Sequence, residues 1–313
     1  MDMLKEKITT AIGTYGYTKS LINKSISSPR FEIEHIDISP IPMVFRRMVR
    51  GLEFDVAEMA FSTYICSKYY GKKFTAIPVF ITRAFYHGQI VCHKKSRIEQ
   101  PTDLAGKRVG LRSYTLTPGV WTRALLKTRY GLNLDEVTWV LSGDEHVQEY
   151  NAPANVISSE KNDLEEMLMS GEVDALIGAG PINSPDVVPL FEDCKNLDKD
   201  WYRETGIYPI SHLLVVKDQI LEEHPWIAEE LHGMFKSARD VYLEEMESKT
   251  IFSEQDNHIL GMKQIVEDNP LPYEFNKDKS GIARFIDFTV DQEIIPDVIT
   301  PESLFPEYTL GFS

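Results

Sequence analysis

The sequence predicts an α/β protein of two lobes. Strand-like and helix-like segments alternate along most of the chain, and the region after His224 is mainly helical. Two extended apolar segments, near residues 78–90 and 205–216, are suited to carry the chain from one lobe to the other and back. On this reading residues 1–82 with 210–313 form lobe I, and 83–209 form lobe II. A small ligand in such an architecture is expected in a central cleft, met by strand ends and helix N-termini.

The elements follow in order. KITTAIG reads as the first strand, GTYGYTKS as a loop, and a helix is expected to start near Thr18 or Lys19. RFEIEHIDIS alternates apolar and polar residues, as a half-exposed strand does. PIPMVFRRMVRGL is a helix stopped by Gly51, and FDVAEMAFSTYICSKYYG is a short strand followed by a helix. FTAIPVFI reads as a buried strand, continued by HGQIVCHKK. Within SYTLTPGVWTRALLKTRYG, Thr117 is expected as N-cap, Pro118 as the first helical residue and Gly131 as the stop. VTWVLSG is a strand, DLEEMLMSGEVDALIGAG a helix then a strand, and GIYPISHLLVVKD the second extended crossing.

Composition narrows the function. The 313 residues are 42% hydrophobic, enough for one large domain or two lobes with real cores. No run of about 18 apolar residues occurs, so no membrane span is expected, and the N-terminus lacks an apolar signal core. A cytoplasmic location is the expectation. The net charge of −15 argues against nucleic-acid binding. The charge is uneven: from Leu221 onward 7 Lys/Arg stand against 20 Asp/Glu, leaving the earlier region near neutral and open to an anionic ligand. Cys66, Cys92 and Cys194 are widely spaced and form no zinc pattern. HExxH, GxSxG, GxxxxGK[ST] and GxGxxG are all absent. No metal is expected; Gly143-Asp144-Glu145-His146 is a poor metal set because its adjacent side chains diverge.

IPVFITRAFYHGQIV, DLAGKRVGLRSYTLTPGVWTRALLKTRYGL, TGIYPISHLLVVK and HPWI together resemble the 4,5-dihydroxyphthalate decarboxylase family, most clearly over residues 41–226. The resemblance implies the periplasmic-binding-protein-like type II fold. It also implies a non-oxidative decarboxylase of a hydroxylated aromatic acid acting without an organic cofactor. Where that family reads R-x-F-R-H-S, this chain has Arg83, Ala84, Phe85, Tyr86, His87 and Gly88. An arginine expected before Pro181 is replaced by Gly180. Fewer cations point to a substrate with fewer, or differently placed, carboxylates. Helical lobe surfaces in this family often pair, so a homo-oligomer is expected.

Loss of CO2 from an aryl acid leaves an in-plane carbanion unless a ring hydroxyl lets the carboxylate-bearing carbon take a proton first. The chemistry therefore calls for an acid, a group that draws off the phenol proton, and a holder for the carboxylate. His87 is the expected proton donor, with a backbone-satisfied strand histidine as its alternative. Arg83 is expected to grip a carboxylate through two N–H groups, because alternate residues of an extended chain share a face with His87. Its alternative is an ion pair. His212, in the second crossing, is the third catalytic candidate.

The candidate substrate contacts are Tyr15, Ser62, Thr63, Phe85, Tyr114, Thr117, Trp121 and Tyr208. Each also has an ordinary reading as turn, cap or core residue. Glu58 either accepts a phenol proton or pairs with Arg46 or Arg47. Two other readings stay open: a non-catalytic solute-binding protein for a small carboxylate, and another lyase on the same scaffold.

Overall fold

The computed structural model describes residues 6–313. In chain order its elements are β1 (Glu6–Ala11), α1 (Lys19–Ile22), β2 (Phe31–His35), α2 (Pro42–Gly51), β3 (Val56–Ala60), α3 (Phe61–Tyr69) and β4 (Phe74–Arg83). Next come β5 (Ile90–His93), β6 (Arg108–Leu111), α4 (Thr117–Tyr130), β7 (Thr138–Leu141), β8 (Val156–Ser158), α5 (Leu164–Met169), β9 (Ala175–Ile177), β10 (Val187–Pro189) and α6 (Cys194–Thr205). The chain ends with β11 (Ile210–Lys217), α7 (Asp218–Glu223), α8 (Ile227–Ser248), α9 (Glu254–Val266) and α10 (Phe275–Asp291). No helix among the described residues is long and apolar enough to cross a membrane.

Two compact units result. Unit one runs to Arg83 and includes Ile210–Ile282 and Ile299–Ser313; unit two is Ala84–Pro209 with Ala283–Val298. Residues 283–298, expected in the first lobe, join unit two for a physical reason. Gln292 accepts from Arg123 Nε at 2.7 Å and donates to the Val120 carbonyl at 3.0 Å. Phe285 and Phe288 pack on Trp121, with ring centroids 4.5 and 5.8 Å away.

Unit one is built on a five-stranded sheet in the order β2-β1-β3-β11-β4. β1 is parallel to β2 and β3, whereas β11 enters antiparallel between β3 and β4. All five residues of β3 are buried, as a central strand covered on both faces requires. α2 opens on Pro42 and buries Val44, Phe45, Met48 and Val49 on one stripe. Gly51 is its last helical residue; Leu52, at φ 47°, makes the left-handed stop that the sequence assigned to the glycine.

Unit two carries a six-stranded sheet, β10-β5-β9-β6-β7-β8, with β5 and β10 antiparallel at one edge. α4 ends where expected: Gly131 adopts φ 72°, and Leu132 N–H closes back on the Leu126 carbonyl at 3.1 Å. Its start differs. Leu116 is the N-cap, and Thr117 is the first helical residue with Pro118 second. β8, β10 and α6 lack the expected sequence signal: the two strands have three residues each, and only Asp198 of α6 is buried.

Candidate functional site

A carboxylate stands in the middle of the apolar strand β3. Glu58 is 0% exposed, and a buried carboxylate is strongly destabilising unless donors surround it. Three donors do. Gly13 N–H reaches Oε2 at 2.8 Å, the Tyr15 hydroxyl reaches Oε1 at 2.8 Å, and His212 Nδ1 lies 2.6 Å from Oε1. The register explains the third contact. His212 on β11 pairs with Ala60, so Glu58, two residues before Ala60, is its diagonal neighbour on the same face. The pairing of β11 with β4 shifts register on both sides of His212, the kind of irregularity that re-aims a side chain near a site.

Glu58 can only accept from these groups, so Nδ1 of His212 carries a proton and Nε2 is the ring atom left for chemistry. The His212 side chain is 19% exposed, whereas that of Glu58 is 0% exposed. The Phe45 ring meets it edge-on at 4.9 Å and limits its rotation. Burial, then the charge of Glu58, pushes the Tyr15 hydroxyl far above its ordinary range, so it remains a donor. The turn carrying Tyr15 is pinned by Thr18: Tyr15 N–H donates to its hydroxyl at 2.8 Å, and that hydroxyl donates to the Gly13 carbonyl at 2.7 Å.

The structure brings two expected site residues, Tyr15 and His212, together around Glu58. It separates Arg83 from His87. β4 ends at Arg83, and His87 begins a 3-10 turn, His87–Gln89, so the alternation expected of one extended strand stops between them. The Arg83 guanidinium belongs to unit one. It donates twice to Asp278, Nη1 to Oδ1 at 2.8 Å and Nη2 to Oδ2 at 2.5 Å, and its side chain is 0% exposed. That carboxylate occupies the fork expected to hold a substrate, so Arg83 is an internal ion pair.

His87 belongs to unit two. Its Nδ1 lies 2.5 Å from Asp198 Oδ1, and Tyr130 and Phe191 present their rings edge-on. Its Nε2 is buried without a partner beside a cavity of about 10 Å3, lined by Trp121, Leu125, Trp201 and Pro209 among others. A space of that size is too small for a substrate ring.

The other expected contacts lie in packed surroundings. Phe85 stacks on Tyr208 with centroids 5.5 Å apart, and Trp121 stacks on Tyr86 at 6.1 Å. Trp121 is thus a core ring. Ser62 and Thr63 are buried in the first turn of α3. Thr117 is buried as the first residue of α4.

The turn before α4 is held by a group that the sequence reading did not select for a site. Tyr114 N–H and the Thr115 hydroxyl donate to the two oxygens of Glu145, both at 2.5 Å. Burial raises the Glu145 carboxyl above its ordinary value, against the pull of Thr115 and Tyr114. Arg123, fully buried, donates to the Tyr114 carbonyl at 2.6 Å and lies 3.9 Å from the centre of that ring. Among the described residues no group of three or more His, Cys, Asp or Glu is arranged to hold a metal ion.

The chain matches no protein-family model. Among similar proteins, the 4,5-dihydroxyphthalate decarboxylase of Comamonas testosteroni is 30% identical over 267 residues, 77% of this chain and 77% of that protein. This chain belongs to the 4,5-dihydroxyphthalate decarboxylase family. The Pseudomonas putida protein of the same name is 34% identical over 221 residues, 64% of this chain and 83% of its own length. Members so named are carboxy-lyases, enzymes that break a carbon–carbon bond. The fold of this chain is similar to that of solute-binding proteins. The alkanesulfonate-binding protein SsuA of Xanthomonas axonopodis pv. citri, solved with MOPS bound, superposes with a TM-score of 0.58 at 14% identity, covering 98% of this chain and 99% of that one. At that identity the likeness is one of fold.

Proposed function

We propose that this chain is a cofactor-independent, non-oxidative decarboxylase of a hydroxylated aromatic carboxylic acid resembling 4,5-dihydroxyphthalate. We place the proton chemistry at His212. One observation carries the reading: an imidazole with one nitrogen held by a buried carboxylate, on a side chain that stays 19% exposed. His212 is preferred to His87, whose ring is sealed against Asp198 and apolar side chains.

The balanced chemistry asks little beyond proton transfer. As an imidazolium, His212 gives its Nε2 proton to the carboxylate-bearing carbon while the substrate's hydroxyl proton passes to solvent, leaving a dienone and a neutral imidazole. The bond to the carboxylate then breaks, its electron pair returns to the ring, and CO2 departs. The oxygen regains a proton from solvent as aromaticity is restored, and a second solvent proton recharges His212. The ring hydroxyl itself supplies the electron route, so no external electron sink is needed. Glu58 stabilises the imidazolium and fixes its orientation, and the Tyr15 hydroxyl shares the charge on Glu58. Cys66, Cys92 and Cys194 form no disulfide, which fits the cytoplasmic setting we assign to it.

The likeness of fold to SsuA favours one competing reading, a binder without turnover. Incubation with a panel of hydroxybenzoates and hydroxyphthalates, followed by CO2 release, separates the two. The proposal expects release from at least one compound and a loss of about 10²–10⁴-fold in His212→Ala. Tight binding of the panel without release establishes the binder. Full turnover by His212→Ala removes the assigned proton carrier.

A further inference from the structure

The turn that fixes Glu58 is itself held from behind. It reads Gly13-Thr14-Tyr15-Gly16-Tyr17-Thr18, and two helices from the distant end of unit one's sequence close on it. Gly16 N–H donates to Gln255 Oε1, in the first turn of α9, at 2.8 Å. A Cβ on Gly16 would stand 2.3 Å from a ring carbon of Tyr242 on α8, so ring and backbone meet with no room between them. Tyr17 packs edge-on against the same ring at 5.6 Å and stacks on Tyr15 at 5.2 Å.

The helices that carry Tyr242 and Gln255 are in turn fixed to each other. The Tyr242 hydroxyl donates to Asp256 Oδ1 at 2.7 Å. Asp256 closes a capping box with Ser253 and pairs with Lys249 Nζ at 2.5 Å. The start of α9 is thereby held to α8, and both grip the turn.

The structure assigns Gln255 and Tyr242 as positioning residues for the proton-handling pair. They hold the turn after β1 in the conformation in which Gly13 N–H and Tyr15 O–H both reach Glu58, and so set the hydrogen bond between Glu58 and His212. This rests on the reading of His212 as the proton carrier. Neither residue belongs to the Glu58 cluster, so their effect is expected on the chemical step rather than on binding.

The test has two independent readouts. In the resting protein, the Nδ1–H of His212 bonded to Glu58 is followed as a downfield proton resonance, identified by its loss in His212→Gln. Gln255→Ala and Gly16→Ala are expected to shift or broaden that resonance. They are also expected to lower kcat by about two- to tenfold with KM changed less than about twofold, the effect of one ordinary hydrogen bond. Gln255→Glu keeps an acceptor oxygen for Gly16 N–H and is expected to restore both.

An unchanged resonance together with unchanged kcat in Gln255→Ala overturns the assignment. If Gly16→Ala fails to fold, Gln255→Ala with its Glu rescue decides alone. Full turnover by His212→Ala defeats the proton-carrier reading, while the resonance in Gln255→Ala still reports whether the turn is held by α9.

Discussion

Asp278→Ala separates the observed role of Arg83 from the one its sequence context suggests. The Arg83 side chain is 0% exposed and meets Asp278 through two charge-assisted hydrogen bonds. Removing the carboxylate takes both of these bonds from a buried guanidinium, whose Nη2 also donates to the Pro272 carbonyl at 3.3 Å. Breaking a buried pair from one side costs about 3–5 kcal/mol. At roughly 2–4 °C per kcal/mol for a unit of this size, the apparent Tm of unit one is expected to fall by about 6–20 °C.

Thermal and urea unfolding followed by circular dichroism measure the loss. The double variant Arg83→Met/Asp278→Leu is expected to recover most of it, because an apolar pair needs no compensation. A melting temperature within about 2 °C of the parent, accompanied by a raised KM, would show that Arg83 serves the substrate and refute the reasoning.

Further outcomes follow from other contacts. Glu58→Gln leaves Gly13 N–H, Tyr15 O–H and His212 facing a weaker acceptor, and kcat is expected to fall at least about tenfold with the fold intact by circular dichroism. Gly110→Ala places a Cβ 2.7 Å from Leu176 Cδ2 and 3.2 Å from Val173, inside the core of unit two, and is expected to cost about 1–3 kcal/mol in urea titrations. Asp256 gives a pH dependence. Burial alone would raise its carboxyl, but bonds from Lys249, Ser253 and Tyr242 hold it well below 3.8. Its folded form therefore binds fewer protons than its unfolded form, so its contribution is full at neutral pH and declines as pH falls through 3.8 toward the folded value. The stability gap between the parent and Asp256→Asn is expected to be larger at pH 7 than at pH 3.

Much of this was legible in the sequence. The long strands and helices announce themselves because period-2 and period-3.6 patterns follow from which faces are buried. β8 and β10 are too short to carry a period, and α6 exposes too much of its surface to show an apolar stripe. The site was harder to read for a different reason. Arg83 and His87 look like partners by spacing, but the strand ends between them, and each finds a carboxylate more than 100 residues away in sequence. Glu58 had a visible signal, a lone acid inside VAEMA, a stretch otherwise fit for a central strand. What identified its partners was the placement of β11, and strand order is set by long-range packing that local pattern does not encode.

The position of β11 also bears on how the molecule is made. The first 83 residues leave the ribosome without the strand that separates β3 from β4. Synthesis of the 134 residues that follow Arg83, up to and including Lys217, takes about 7–27 s at 5–20 residues per second. During that interval the facing edges of β3 and β4 have no β11 between them and offer bare amides to any neighbouring chain. A nascent polypeptide stalled near residue 209 is therefore a natural client for chaperones. Because β11 also carries His212, the Glu58–His212 hydrogen bond cannot form until that gap is filled.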